Sequence, residues 1–268
     1  MSAVYVIGDV HGQYDKLVRL LKNARLVDDD LRWTGGDAHL WFVGDFVDRG
    51  PDGIGVIELV MQLQNQAIRA GGAVQALLGN HDLLLLSVYR FGKSRSLLAN
   101  LPPSPDQFSI KAVDSFTANW LLNGGIVSDL IRMTGKHAAW LSHLPAMARV
   151  GDKLLIHADS LLYIRSGSSV DEVNHWFRQI LEGDDVNLWD TMLDAFGEHR
   201  AFLTSNGAQR ATRFLQIFDA VQIIHGHTPI SKLGGQDASR ALVYANGRCV
   251  NVDGGMYLGG AGFVYQLD

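Results

Sequence analysis

The sequence predicts an α/β sandwich. Two patterns predict it. In the first third of the chain, short apolar runs rich in β-branched residues alternate with segments whose apolar residues recur at helical spacing, the mark of βαβ units and parallel pairing. Towards the end, such runs follow one another with only turns between them, which predicts a second, more antiparallel sheet.

The elements follow in order. Residues 4–7 read as a strand, and Leu17, Leu20, Leu21 and Ala24 then form one helical stripe. Residues 39–43 are the next strand, followed by a stripe of Ile54, Ile57, Val60, Met61 and Leu63, and then by a strand at 73–78. Further strands are expected at 153–156, 221–224, 242–244, 249–252 and 263–266. Two longer segments interrupt this plan. The first, 83–144, carries Pro102, Pro103 and Pro105 and then helical patterns; the second, 159–220, is marked by Trp176, Phe177, Ile180, Leu181, Phe214, Leu215 and Phe218. Both read as helical insertions covering one end of the sheets, within one domain over 1–268.

Composition narrows the class. Of 268 residues, 47% are apolar and 19% charged, which fits a folded globular chain. A net charge of -5 gives no general attraction for nucleic acid or anionic membrane. No apolar stretch approaches the roughly 20 residues of a membrane span, and no basic leader precedes the first strand. A cytoplasmic protein is therefore expected. The single Cys249 excludes an internal disulfide and a cysteine-based metal site, and reads as a small core residue.

Five polar clusters stand just beyond strand ends. They are Gly8-Asp9-Val10-His11-Gly12, Gly44-Asp45-Phe46-Val47-Asp48-Arg49-Gly50, Gly79-Asn80-His81-Asp82, His157, and Gly226-His227-Thr228-Pro229. That edge of an α/β sheet is where ligands bind. Asp, His and Asn offer oxygen and nitrogen donors suited to Mn, Fe, Zn or Co. Two such ions roughly 3.5–4 Å apart can share a bridging carboxylate and a hydroxide that is nucleophilic near neutral pH. Taken singly, each cluster is weak: Gly-Asp or Gly-Asn after a strand is commonly a turn. The conjunction of five, in order, points to one shared metal site.

These motifs resemble the calcineurin-like metallophosphoesterases, in particular the phosphoprotein phosphatase branch. That branch carries GDxHG, GDxxDRG, GNHE, a later histidine and GH; this chain reads GDVHG, GDFVDRG, GNHD, IHADS and GHTP. The last motif is similar to those of bacterial phosphatases, Shewanella-like phosphatases and diadenosine tetraphosphatases. The resemblance implies a four-layer αββα sandwich of two mixed sheets flanked by helices. It implies two divalent metal ions, with Mn²⁺ first and Fe, Zn, Co or Ni as alternatives. Asp9, His11 and Asp45 match ligands of the first ion, with Asp45 bridging, and Asn80, His157 and His227 match those of the second. His81 matches a general acid, Asp48 the carboxylate that orients it, and Arg49 a phosphate-binding arginine. The implied reaction is in-line attack on a phosphate ester by a bridging hydroxide, without a phosphoenzyme.

Departures from the branch bear on substrate. Leu78 stands where an arginine is usual, and the second phosphate arginine has no match; Trp189-Asp190 occupies the comparable region, and Arg165, Arg200, Arg210 and Arg213 are candidates to compensate. Ala158-Asp159 replaces the usual Gly-Gly, so Asp159 is either a partner of a ligand or a helix cap. Pro229 stands where diesterases carry a second histidine, which favours monoesters, and His225 reads as a strand-end residue. Asp253 reads as a turn residue or a supporter of the site. His39, His137, His143, His175 and His199 lack motif context, and the six tryptophans read as packing residues. The expected partner is a phosphorylated substrate: a phosphoprotein, a nucleotide or a small phosphomonoester. Stable nucleic-acid binding is not expected. Two rival readings remain, a dinucleoside polyphosphate hydrolase and a non-catalytic metal-binding scaffold.

Overall fold

The computed structural model describes residues 2–93, 113–234 and 237–267. The Pro102, Pro103 and Pro105 stretch lies outside them. The chain opens with two consecutive βαβ units: β1 (Val4–Ile7), α1 (Tyr14–Asn23), β2 (His39–Phe42), α2 (Gly53–Arg69) and β3 (Ala73–Ala76). Then come α3 (Asn80–Phe91), α4 (Ser115–Leu122), α5 (Val127–Arg132) and α6 (Gly135–Ser142), and the hairpin of β4 (Met147–Val150) and β5 (Lys153–Ile156). A second helical run holds α7 (Leu162–Ser166), α8 (Val170–Glu182), α9 (Val186–Phe196) and α10 (Gly207–Ile217). The chain ends on β6 (Gln222–His225), β7 (Leu242–Tyr244), β8 (Cys249–Asn251) and β9 (Tyr265–Leu267).

The strands form two mixed sheets, ordered β3-β2-β1-β9 and β4-β5-β6-β8-β7. In the first, β1, β2 and β3 are parallel, and β9 returns antiparallel along β1. The last strand thus closes the first sheet, where the sequence placed it in the second. The second sheet is also less antiparallel than expected: β5, β6 and β8 are parallel, with only the outer β4 and β7 reversed. Strand β4 was not anticipated. It is a four-residue edge strand with Arg149 exposed, joined to β5 by the Gly151-Asp152 turn, and so lacks a two-faced apolar signal.

Side chains alternate along each strand and sort the molecule into layers. Val6, Trp41, Leu155, Ile224 and Val250 pack between the two sheets. Their neighbours Ile7, Phe42, Leu154, Ile156, Ile223 and Cys249 face the helices. The result is an αββα stack. Because three strands of each sheet run the same way, the loops following β1, β2, β3, β5, β6 and β8 leave from carboxyl ends, where ligands bind in such sheets. Among the described residues, no helix is long and apolar enough to cross a membrane.

Candidate metal centre

The loops are laced together before any side chain is considered. The Asp45 carbonyl accepts the N–H groups of Val10 (3.1 Å) and His11 (2.9 Å), and the Phe46 carbonyl accepts that of Gly12 (2.8 Å). Helix α3 starts directly after the β3 loop, so Asn80 and His81 are its first residues. The buried Asp82 carboxylate accepts from the N–H groups of Gly79, Asp45 and Phe46, each at 2.9 Å, and so ties the helix start to the β2 loop. From the second sheet, the His227 N–H donates to both Asp9 oxygens, at 2.9 and 3.0 Å. Glycine is required before it: a Cβ on Gly226 would stand 2.1 Å from Asp9 Oδ1. His11, Asp45, Asp48, Arg49 and His227 all have positive φ, between 47° and 68°. Such strained backbone collects at functional sites and is held by surrounding contacts.

Those contacts aim the donor atoms. His11 Nδ1 lies 2.9 Å from the Val47 carbonyl and His157 Nδ1 2.8 Å from the Val43 carbonyl. A carbonyl only accepts, so each ring carries its proton on Nδ1 and turns the Nε2 lone pair inward. Burial is the main cause holding both imidazoles below their ordinary pKa, and so neutral. His157 Nε2 lies 2.9 Å from Asn80 Oδ1 and 3.1 Å from His227 Nδ1, which is itself 2.9 Å from Asn80 Oδ1. Asp45 divides its oxygens: Oδ2 is 3.4 Å from His11 Nε2, and Oδ1 is 3.5 Å from His157 Nε2. Two groups of ligand atoms result, His11 with Asp45 and His81, and Asp45 with His157 and His227, sharing only Asp45. The donor set fits cations: two acceptor atoms, His157 Nε2 and Asn80 Oδ1, face each other with no proton of their own to place between them.

Burial raises the pKa of Asp45, but His157, His81, His11 and His227 outweigh it, and Asp45 is held well below the usual carboxylate range. Asp9 is the reverse: burial, then Asp253 and Asp45, push it well above that range. Asp9 Oδ2 is 3.9 Å from His11 Nε2, so it borders the first group while His81 stands inside it.

His81 Nδ1 lies 2.9 Å from Asp48 Oδ2, and Asp48 Oδ1 accepts the Trp120 indole N–H at 2.7 Å. Burial raises the Asp48 pKa, and these two contacts oppose the rise. Arg49 donates from Nη2 to His81 Nε2 (2.7 Å) and from Nη1 to His11 Nε2 (3.1 Å), with its guanidinium over the Tyr257 ring at 4.5 Å. Its backbone N–H donates to the Gly124 carbonyl (2.9 Å). The first helical segment therefore completes this side of the site through Trp120 and Gly124, neither of which sequence reasoning selected.

Other candidates separate clearly. Leu78 and Trp189 are fully buried in the helix-facing core. Arg165 pairs with Glu198 at 2.6 Å, and Arg200, Arg210 and Arg213 are exposed. Asp159 accepts the Arg200 N–H and, at 2.9 Å, the Tyr244 hydroxyl, so it ties the segment before α10 to β7 rather than capping a helix. His225 ends β6, with Nε2 2.7 Å from the same hydroxyl. His199, set aside for want of a motif, lies 5.2 Å from His227 between ring centres. It lines a cavity of about 580 Å³ with Asn80, Asn119, Asn123, Arg165 and Glu198.

Known proteins are similar to this chain in sequence and in fold. A symmetrical bis(5'-nucleosyl)-tetraphosphatase of Enterobacter sp. (strain 638) is 45% identical over 87 residues, 32% of this chain and 26% of that protein. Its counterpart in Escherichia coli (strain K12 / DH10B) is 39% identical over 107 residues, 39% of this chain and 33% of that protein. The match thus spans about a third of the length of these curated relatives at most. In fold, a cold-active protein-tyrosine phosphatase of a psychrophilic Shewanella sp. superimposes with a TM-score of 0.74 at 24% identity, over 100% of this chain and 76% of that one. A protein serine/threonine phosphatase of Saccharomyces cerevisiae gives 0.56 at 17% identity, over 99% and 72%. The profile of the calcineurin-like phosphoesterases matches residues 2–231, from the first strand to the turn after His227. With most of its length matched and the two-sheet architecture in place, this chain belongs to the calcineurin-like phosphoesterase family.

Proposed function

We propose that the protein is a two-metal phosphatase acting on phosphomonoesters. The observation that carries this reading is the division of Asp45, one oxygen toward His11 and the other toward His157, which joins two donor groups through one ionised carboxylate. Asp9, His11 and Asp45 would hold one divalent ion, and Asp45, Asn80, His157 and His227 the other, with Mn²⁺ the first candidate. When bound, such ions supply Lewis acidity toward phosphate oxygens and acidify water. His81, oriented by Asp48, protonates the departing oxygen. Arg49 offers a planar fork of donors to phosphate once it leaves the imidazoles. Pro229 after the last histidine is the sequence feature favouring monoesters.

A second reading is a dinucleoside polyphosphate hydrolase. It is supported by the cavity of about 580 Å³ beside Asn80, which leaves room for more than a phosphate, and by the names of the curated relatives. Purified protein with Mn²⁺ should be offered p-nitrophenyl phosphate, phosphoserine, phosphothreonine and phosphotyrosine peptides, and diadenosine tetraphosphate. Monoester turnover exceeding that of the dinucleotide supports the first reading, and the reverse supports the second. Two bound ions with no turnover of any substrate would favour a scaffold.

A further inference from the structure

Asp253 follows β8 on the second sheet and is fully buried. It is pressed against the start of the Gly8-Asp9 turn of the first sheet. A Cβ on Gly8 would stand 2.3 Å from the Val252 carbonyl oxygen and 3.0 Å from Asp253 Cα, so only glycine permits this approach. The Asp253 backbone is committed: its N–H donates to Asn251 Oδ1 (2.8 Å), and its carbonyl accepts from Ile230 N–H (3.1 Å). One carboxylate oxygen, Oδ1, accepts the Gly255 N–H at 2.8 Å. The other, Oδ2, has no hydrogen-bond partner among the described residues. A buried carboxylate oxygen left bare costs free energy unless a group outside the chain satisfies it.

The surroundings say which kind of group. Gly8, packed against Val252 and Asp253, directly precedes Asp9, so the bare carboxylate is carried on the backbone next to the first donor group, and its charge acts on Asp9. The side chains acting on Asp253 in turn include Asp45, Arg49 and Lys232. Both cations are engaged elsewhere, Arg49 with His11 and His81, and Lys232 with the Tyr257 hydroxyl at 3.1 Å. Three buried carboxylates, those of Asp9, Asp45 and Asp253, with the neutral His11 imidazole make a set of hard donors that suits a divalent cation.

We infer that Asp253 is a further carboxylate of the metal centre, supplying its free Oδ2 to the divalent ion on the Asp9 side. This rests on the two-metal reading above. It assigns to the end of β8 a role that the five motifs do not include. The neighbouring Gly255, in the left-handed conformation at φ 64°, holds the carboxylate by its N–H to Oδ1 and leaves Oδ2 free.

Mn²⁺ binding by equilibrium dialysis, with thermal unfolding in EDTA, tests it on the wild type and on Asp253→Asn and Asp253→Glu. The wild type is expected to take up two ions per chain. Asp253→Asn should weaken one of the two about 10–100-fold and leave the other unchanged. Its metal-free melting temperature should not fall, because the amide still accepts from Gly255 while its repulsion of Asp9 is gone. Asp253→Glu should recover part of the lost affinity. Two ions bound by Asp253→Asn with wild-type affinities would overturn the inference and leave the two-metal reading standing. Equal weakening of both ions, with a lowered metal-free melting temperature and no recovery in Asp253→Glu, would make Asp253 a structural turn residue and overturn it as well. A wild type that takes up no Mn²⁺ would overturn both.

Discussion

His81 and Asp48 meet through one contact, Nδ1 to Oδ2 at 2.9 Å, on a carboxylate whose other oxygen is already held by Trp120. An indole N–H only donates, so the carboxylate cannot rotate without losing one bond. The imidazole is thereby fixed with Nε2 toward the site, where Arg49 now donates to it. If His81 protonates the leaving group, Asp48→Asn should lower kcat for alkyl phosphates by roughly 10²–10⁴. The loss should be smaller for p-nitrophenyl phosphate, whose phenolate leaves without a proton. Trp120→Phe should move both substrates the same way by a smaller factor. Equal losses on the two substrates would remove His81 from the acid role.

Gly226 makes a second test of how the two sheets are joined. Alanine there would put a carbon 2.1 Å from Asp9 Oδ1, so Asp9 must shift or release the His227 N–H. We expect Gly226→Ala to weaken Mn²⁺ binding about 10–100-fold and to destabilise the metal-free protein by about 1–3 kcal/mol. Metal titration and urea unfolding in EDTA measure the two effects separately. Unchanged Mn²⁺ affinity would mean that the Asp9 and His227 contact does not shape the site.

The clusters holding Asp9, Asp45 and Asn80 were readable because they stand in the short loops that follow parallel strands, where a local pattern is visible. His157 and His227 were readable for the same reason, just after β5 and β6. What was hidden depends on contacts far apart in the chain. Trp120 reaches Asp48 across 72 positions, and nothing local marks an indole as a donor to a buried carboxylate. Asp82 was visible in the motif, yet its three backbone N–H partners come from two different loops. The joining of β9 to β1 escaped because strand runs near the end of a chain carry no information about which sheet they enter. Positive φ at His11, Asp45 and His227 left no sequence mark either, since each is a ligand type and not a glycine.

His199 follows from that same blind spot, being delivered to His227 by the second helical segment. It is exposed and lines the cavity beside Asn80, so it is placed to touch the part of a substrate beyond the phosphate. His199→Ala should raise KM several-fold, about 1 kcal/mol for one lost hydrogen bond, with kcat and bound metal little changed. The comparison should be made on a phosphopeptide and on p-nitrophenyl phosphate, which reaches less far into the cavity. A loss of kcat without a change in KM on both would place His199 at the reacting centre instead.

Asp129 gives the fold a pH dependence whose sign can be worked out. It sits in α5, fully buried, and accepts from the N–H groups of Gly53 (3.0 Å), Ile54 (3.3 Å) and Asp48 (3.4 Å), so it caps α2 from a neighbouring helix. Burial and then the charge of Asp48 push its pKa from the ordinary 3.8 up to about 6, against the pull of those three donors. A carboxyl whose folded pKa is raised stabilises the fold fully below its unfolded pKa and loses that contribution as pH climbs through the folded one. The window is therefore pH 3.8 to about 6, and the contribution lost across it is up to roughly 3 kcal/mol. Asp129→Asn keeps an acceptor for the Gly53 and Ile54 N–H groups, gives up the long contact to Asp48, and does not ionise. Relative to the wild type, it should gain stability as pH rises from about 4 to 7, by up to that amount. Urea unfolding of both proteins in EDTA at several pH values measures the difference directly. Parallel curves would show that Asp129 ionises at the same pH folded and unfolded, and that the three amide donors offset its burial.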